Sequence, residues 1–263
     1  MKNRKFWTLK AAEGEPKAGE LMLYGEISEI SWFGDEVTPQ EFKGDLDTLG
    51  EIEELRVFIN SGGGDVFAAQ AIYSMLRRHG SRKIVYIDGL AASAASLVAM
   101  AGDRIVMPRN AMLMVHNPWA LVIGESRDMR KMADSLDRIR ESMIEAYREK
   151  TGAEHDYIVG LLDAETWMTA AEAVEMGFAD ELEETRQVAA RIRDDHLVVN
   201  GIDVPLDRYS NPPKLAFVPE DEDEPVKPTP DTPGDGDSQR LRLLGLELEL
   251  VSCKPVVPEE DEL

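Results

Sequence analysis

The chain has 263 residues, 43% of them hydrophobic, four tryptophans, one cysteine and a formal net charge of −22. That size and apolar content support one large domain or a domain with an appendage. A single cysteine excludes an intrachain disulfide and a cysteine-rich metal site, and the acidic balance excludes the basic face that nonspecific nucleic-acid binding requires.

Residues 1–18 show little periodicity and read as an arm. Their basic start, Met1-Lys2-Asn3-Arg4-Lys5-Phe6-Trp7, lacks the apolar core of a signal peptide. No run in the chain approaches the length of a membrane span, so no membrane partner and a cytoplasmic location are expected. Glu20-Leu21-Met22-Leu23-Tyr24-Gly25-Glu26-Ile27 has strand character. Thr38-Pro39-Gln40-Glu41 marks a helix start, with Thr as N-cap, Pro at the first position and Glu reaching back. That helix is expected to run to about Leu49, and Leu55-Arg56-Val57-Phe58-Ile59-Asn60 is a second strand.

Ser61-Gly62-Gly63-Gly64-Asp65 follows, then an amphipathic helix with Val66, Ala69, Ile72, Tyr73 and Leu76 on one stripe. The glycine run lacks the Gly-Lys-Ser/Thr ending of a phosphate-binding loop and the spacing of a dinucleotide fingerprint. It reads either as a turn presenting backbone N–H groups to a ligand or as a plain turn into a helix. Ile84-Val85-Tyr86-Ile87 is an apolar strand, and residues 89–102 form a stretch rich in Ala, Ser and Gly. A turn at Gly89 followed by a helix that opens on Ser93 would lift a hydroxyl clear of the sheet, beside free helix N–H groups. A tightly packed small-residue helix has the same composition, so this stretch alone leaves both readings open.

Arg104-Ile105-Val106-Met107 and Met112-Leu113-Met114-Val115 are two short strands around Pro108-Arg109-Asn110, the second ending in His116-Asn117-Pro118. Residues 126–150 form a long helix with Met129, Met132, Leu136, Ile139, Met143 and Tyr147 on its apolar stripe, which suits core or subunit packing. A short helix over 155–162 precedes Thr169-Ala170-Ala171-Glu172, a capping box for a helix that stops at Gly177. Strands alternating with helices indicate an α/β domain with a largely parallel sheet. Residues 191–204 read as a strand pair. From Asn211 onward prolines crowd in, and residues 219–263 carry 14 acidic against 4 basic side chains. This is the composition of a disordered acidic tail. It is interrupted by Leu241-Arg242-Leu243-Leu244-Gly245-Leu246-Glu247-Leu248-Glu249-Leu250, a docking peptide or a weakly ordered segment.

The glycine run, Ser93 and His116 each follow a strand. In an open α/β sheet the carboxyl ends of strands form one crevice, and serine, histidine and backbone donors are the parts acyl transfer needs. Ile59-Asn60-Ser61-Gly62-Gly63-Gly64-Asp65-Val66, Gly89-Leu90-Ala91-Ala92-Ser93, Met114-Val115-His116-Asn117-Pro118 and Thr169-Ala170-Ala171-Glu172-Ala173-Val174-Glu175-Met176-Gly177 stand in register over residues 21–180. Together they resemble the Clp protease proteolytic subunit, ClpP. The N-terminal lead and acidic tail resemble the phage- and prophage-encoded branch of that family, which includes head-maturation proteases.

The resemblance implies an α/β fold of repeated ββα units with a long interface helix, as in ClpP and the crotonases, and a disordered acidic C-terminal tail. It divides the chain into an arm over 1–18, a peptidase domain over 19–209 and the tail over 210–263. It makes Ser93 the nucleophile, His116 the general base, and the N–H groups of Gly64 and Ala94 the oxyanion donors. The triad acid falls on Glu165 of Asp163-Ala164-Glu165-Thr166-Trp167, one methylene longer than the family's aspartate, with Asp163 as rival. Gly62 stands where the family usually has proline, which loosens the oxyanion loop. Ser96, one turn past Ser93, is read as packing.

The implied substrate is a polypeptide and the implied assembly a homo-oligomeric ring, a heptamer or stacked rings. Metal and cofactor are not required. The partner would be an ATPase unfoldase in the housekeeping type, or a phage capsid or scaffold protein in the head-maturation type, placing the chain in host cytoplasm or an assembling prohead. Two other readings compete. A crotonase-like acyl-CoA enzyme would use an oxyanion hole without a Ser–His pair, and a non-catalytic scaffold subunit would work through its tail.

Overall fold

In the computed structural model, which describes residues 5–28, 39–183, 190–193, 196–199 and 202–213, the apolar runs of the sequence lie side by side in one sheet. The strands are β1 (Trp7–Ala11), β2 (Ala18–Tyr24), β3 (Glu54–Ser61), β4 (Arg82–Ala92), β5 (Arg104–Pro108), β6 (Met112–Val115), β7 (Thr166–Thr169) and β8 (Glu181–Glu183). The main path is β1-β2-β3-β4-β5-β8, and β6 joins β4 to β7. Pairs β2–β3, β3–β4, β4–β5, β4–β6 and β5–β8 are parallel; β1–β2 and β6–β7 are antiparallel. Parallel neighbours need crossovers, and helices α2 (Val66–Arg78) and α3 (Ala94–Ala99) supply them on either side of β4.

Alternation decides which face of each strand is covered. Leu55, Val57 and Ile59 of β3 are fully buried, while Arg56 and Phe58 between them are partly exposed. The buried set packs in one core with Ala68, Ala69, Ile72 and Leu76 of α2 and with all the apolar residues of α3. Asp65 caps α2, its carboxylate accepting from the Ala68 N–H at 2.7 Å. Helix α1 (Pro39–Asp47) buries Phe42 and Leu46; Thr38, expected to cap it, lies outside the described residues. The long helix α4 (Ser126–Thr151) opens on a capping box between Glu125 and Asp128 and ends at Gly152 in the left-handed region. Helices α5 (His155–Asp163) and α6 (Ala170–Glu175) follow, and the expected capping box of Thr169 and Glu172 opens α6.

Four readings need correction. Residues 1–18 are not simply an arm, because Trp7–Ala11 pairs along β2. Trp7 is buried edge-on to Phe42 and donates from Nε1 to Asp45 at 2.8 Å. This strand sits at the sheet edge, where alternate side chains meet solvent, and its apolar period is correspondingly weak. Nor does β4 turn at Gly89. It continues to Ala92, exchanging β5 over Ile84–Tyr86 for β6 over Leu90–Ala92, and the turn falls at Ser93.

The strand pair expected over 191–204 is a three-stranded antiparallel sheet of β9 (Ala190–Arg193), β10 (His196–Val199) and β11 (Ile202–Pro205), closed by a 3₁₀ turn at Leu206–Arg208. Leu197, Val199, Val204 and Leu206 form a second core with Leu90, Ala92, Met112 and Met114. Between the two sheets Asn60 donates to the Val199 carbonyl at 3.0 Å and accepts from the Leu90 N–H at 3.2 Å. The ordered fold therefore passes the boundary expected at 209, since Ser210 and Asn211 bond back into the molecule. The acidic tail and its leucine segment lie outside the described residues.

Candidate active site

The carboxyl ends of β3, β4 and β6 converge on one cleft of about 660 Å³, lined by Gly64, Ser93, Ala94, His116 and Tyr209 among others. Ser93 leaves β4 with φ 55° and ψ −126°, a conformation costly for a residue with a Cβ, and stands as N-cap of α3. Such strain persists only when the surroundings hold it. Here the Ser93 N–H donates to the Met114 carbonyl at 3.0 Å, and its own carbonyl accepts from the Ser96 hydroxyl at 2.6 Å. Ser96 is fully buried and also bonds the Tyr147 hydroxyl at 2.9 Å. Its packing role thus extends to bracing the turn, and burial pushes the Tyr147 phenol up to about 12.

His116 follows β6 directly and turns its Nε2 onto the Ser93 hydroxyl at 2.7 Å. It is 8% exposed. Burial pushes the imidazole below the ordinary histidine value of 6.5, and the Glu165 carboxylate opposes that shift. A neutral imidazole is the form that accepts a proton.

Glu165 lies in the tight turn between α5 and β7, with φ 49°. Its Oε2 is 4.0 Å from His116 Nδ1, and the residue is 9% exposed. Asp163 points elsewhere. Its Oδ1 accepts from Asn117 Nδ2 at 2.8 Å and from Arg140 at 2.9 Å, and half of its side chain is exposed. The turn separates the two acids, so Glu165 faces the histidine and Asp163 faces α4.

The glycine run reaches the same place. A Cβ on Gly63 would stand 2.7 Å from the Ser93 Cβ and 2.7 Å from the Ala92 carbonyl oxygen, so the loop lies directly on the Ser93 turn. Gly64, with φ 143°, approaches Ile27 so closely that a Cβ would be 1.9 Å from its carbonyl oxygen. Gly62 has Val204 against it, with methyls 3.1 and 3.2 Å from where a Cβ would stand, and its carbonyl accepts from the Tyr209 hydroxyl at 3.3 Å. The loop that glycine would loosen is thus braced from outside by β11 and the residues after it.

A family model described as Clp protease matches residues 44–186. The chain belongs to the Clp protease family. The match runs from within α1 through β8, and with it the ends of β3, β4 and β6 at the cleft, whereas Glu26, Ile27 and Ser28 after β2 line the cleft from outside it. In this Clp protease, β1, β2 and the whole three-stranded sheet lie outside the matched residues. Tyr209, Ser210 and Asn211 belong to that outer part. Sequence reasoning missed them because two of the three act through backbone N–H groups, which every residue type carries. The described residues hold no group of three or more His, Cys, Asp or Glu side chains placed to bind a metal ion, and none of their helices is long and apolar enough to cross a membrane.

Proposed function

We propose that this Clp-family chain is a serine endopeptidase in which Ser93 is the nucleophile, His116 the general base and Glu165 the triad acid. The observation that carries the reading is the 2.7 Å approach of His116 Nε2 to the Ser93 hydroxyl at the end of a strained turn. His116 takes the hydroxyl proton as Ser93 Oγ attacks a peptide carbonyl. The N–H groups of Gly64 and Ala94 hold the oxyanion, each worth about 3 kcal/mol of barrier. His116 then protonates the leaving amine, and water attacks the acyl-enzyme by the same route in reverse. The burial that lowers the imidazole keeps it an acceptor at neutral pH.

The assembly proposed is a homo-oligomeric ring. The first half of α4 and the segment before it leave Trp119, Leu121, Ile123 and Met129 exposed, a surface suited to another copy of the chain. The finer placement proposed is the phage- and prophage-encoded branch, with the acidic tail engaging a capsid or scaffold protein. A crotonase-like reading is less well supported, because acyl-CoA chemistry has no use for a serine held on a histidine.

Mass spectrometry after treatment with a fluorophosphonate tests the assignment. The adduct is expected on Ser93 and absent from Ser93→Ala, which should keep its oligomeric state and lose peptide hydrolysis. An adduct on Ser96, or hydrolysis surviving in Ser93→Ala, would overturn it.

A further inference from the structure

The Glu165 carboxylate, whose Oε2 lies 4.0 Å from His116 Nδ1, is also held by two backbone amides. The Ser210 N–H donates to Oε2 at 3.0 Å and the Asn211 N–H donates to Oε1 at 2.7 Å. The Asn211 side-chain amide reaches the carbonyls of Ala164 and Glu165 at 3.3 and 3.4 Å. One residue earlier, the Tyr209 ring lies 6.0 Å from the His116 ring and packs edge-on to Trp167 at 5.1 Å. We propose that residues 209–211, carried past the active site on the small C-terminal sheet, are a positioning strap that fixes the triad acid of this enzyme. The proposal rests on the triad reading above.

The chemistry of the acid makes a strap necessary. A glutamate has one more rotatable bond than an aspartate, and a free carboxylate on that longer stem samples more positions than catalysis tolerates. Two charge-assisted hydrogen bonds from adjacent backbone amides fix both oxygens at once, in the way a fork of donors fixes a carboxylate. Each oxygen keeps a lone pair, so Oε2 remains able to accept from His116 Nδ1. The strap is itself anchored where it begins. Val204 and Leu206 are buried in the second core, and Asn60 ties β10 to β3 and β4.

The test uses the full chain. Asn211→Pro removes the shorter of the two N–H donors. It is expected to lower kcat about 10²-fold on a small peptide, with KM little changed. The acid limb of the pH–rate profile should move to lower pH, because the carboxylate that raises the imidazole is no longer held near it. Among the described residues, Glu165 is the charge that acts on His116; Ser93 and Tyr209 present hydroxyl-bearing side chains, Glu26 and Asp65 line the same cleft, and Asp163 is paired with Arg140. Asn211→Ala, which keeps the N–H, should recover turnover relative to Asn211→Pro. Wild-type kcat and an unmoved acid limb in Asn211→Pro overturn the strap.

Should that variant fail to fold, hydrogen exchange over residues 206–213 is compared between the wild type and Glu165→Ala. Faster exchange in the variant supports the strap, and equal exchange overturns it. Glu165→Gln separates the two levels of the argument. Wild-type turnover there sinks the triad reading and the strap with it, whereas loss there beside wild-type turnover in Asn211→Pro overturns the strap alone.

Discussion

Glu165 and Asp163 are two residues apart and both acidic, yet their surroundings give them different work. Glu165 is buried against His116, and Asp163 is spent on Arg140 and Asn117. Glu165→Gln keeps the shape and removes the charge that would stabilise an imidazolium. Turnover of a small peptide is expected to fall by roughly 10⁴-fold, as when a triad aspartate becomes asparagine. Asp163→Asn should change it far less, and the reverse ranking in steady-state assays would move the role to Asp163. The pH profile follows from His116. Burial lowers its pKa, so protonation, which disables a base, sets in only below the ordinary value of 6.5. The acid limb of kcat/KM should therefore lie below pH 6.5. It should move lower still in any residual activity of Glu165→Gln, since the carboxylate is what raises the imidazole.

The elements converge because strands deliver their carboxyl ends to one side of the sheet, and close backbone approach helps to hold the loops leaving those ends. Gly64 shows this most directly. Its φ of 143° and its contact with the Ile27 carbonyl leave no room for a Cβ. Gly64→Ala is expected to cost about 1–3 kcal/mol from the backbone conformation alone. A larger loss of activity should follow, as the proposed oxyanion donor is displaced. Thermal unfolding and kcat measured on the same sample check both parts. A variant with wild-type Tm and kcat would mean that the loop does not approach Ile27 as described.

Among the described residues, the small C-terminal sheet and the main sheet share a core and a polar tie at Asn60. Asn60 is fully buried, and its truncation strands the Val199 carbonyl and the Leu90 N–H without their side-chain partner. Asn60→Ala should destabilise the fold by about 1–3 kcal/mol, read as a lower midpoint in chemical denaturation. The same coupling moves the domain boundary. A chain ending at Tyr209 lacks both amides that hold Glu165, whereas one ending at Pro213 keeps them. Peptide hydrolysis is expected to survive in the longer truncation and to drop sharply in the shorter one. Equal activity in the two would place the boundary at 209 after all.

Much of this protein was legible in one dimension, where the physics is local. The apolar runs of β3 and β6, the stripe of α2 and the capping box at Thr169 are patterns that a strand or helix imposes on its own neighbours. The glycine run, Ser93 and His116 could be placed together because parallel topology sends the ends of consecutive strands to one edge. What needed the folded chain was set by partners distant in sequence. Gly89 reads as a turn but remains in a strand, because β4 finds β6 as a new neighbour just where it leaves β5. Gly62 reads as a loose position, but Val204 and Tyr209 close over it from some 140 residues away. The choice between Glu165 and Asp163 depends on a left-handed turn and on two amides at the far end of the ordered chain. Those amides have no side-chain signature, so only the tertiary structure could bring them to the acid they hold.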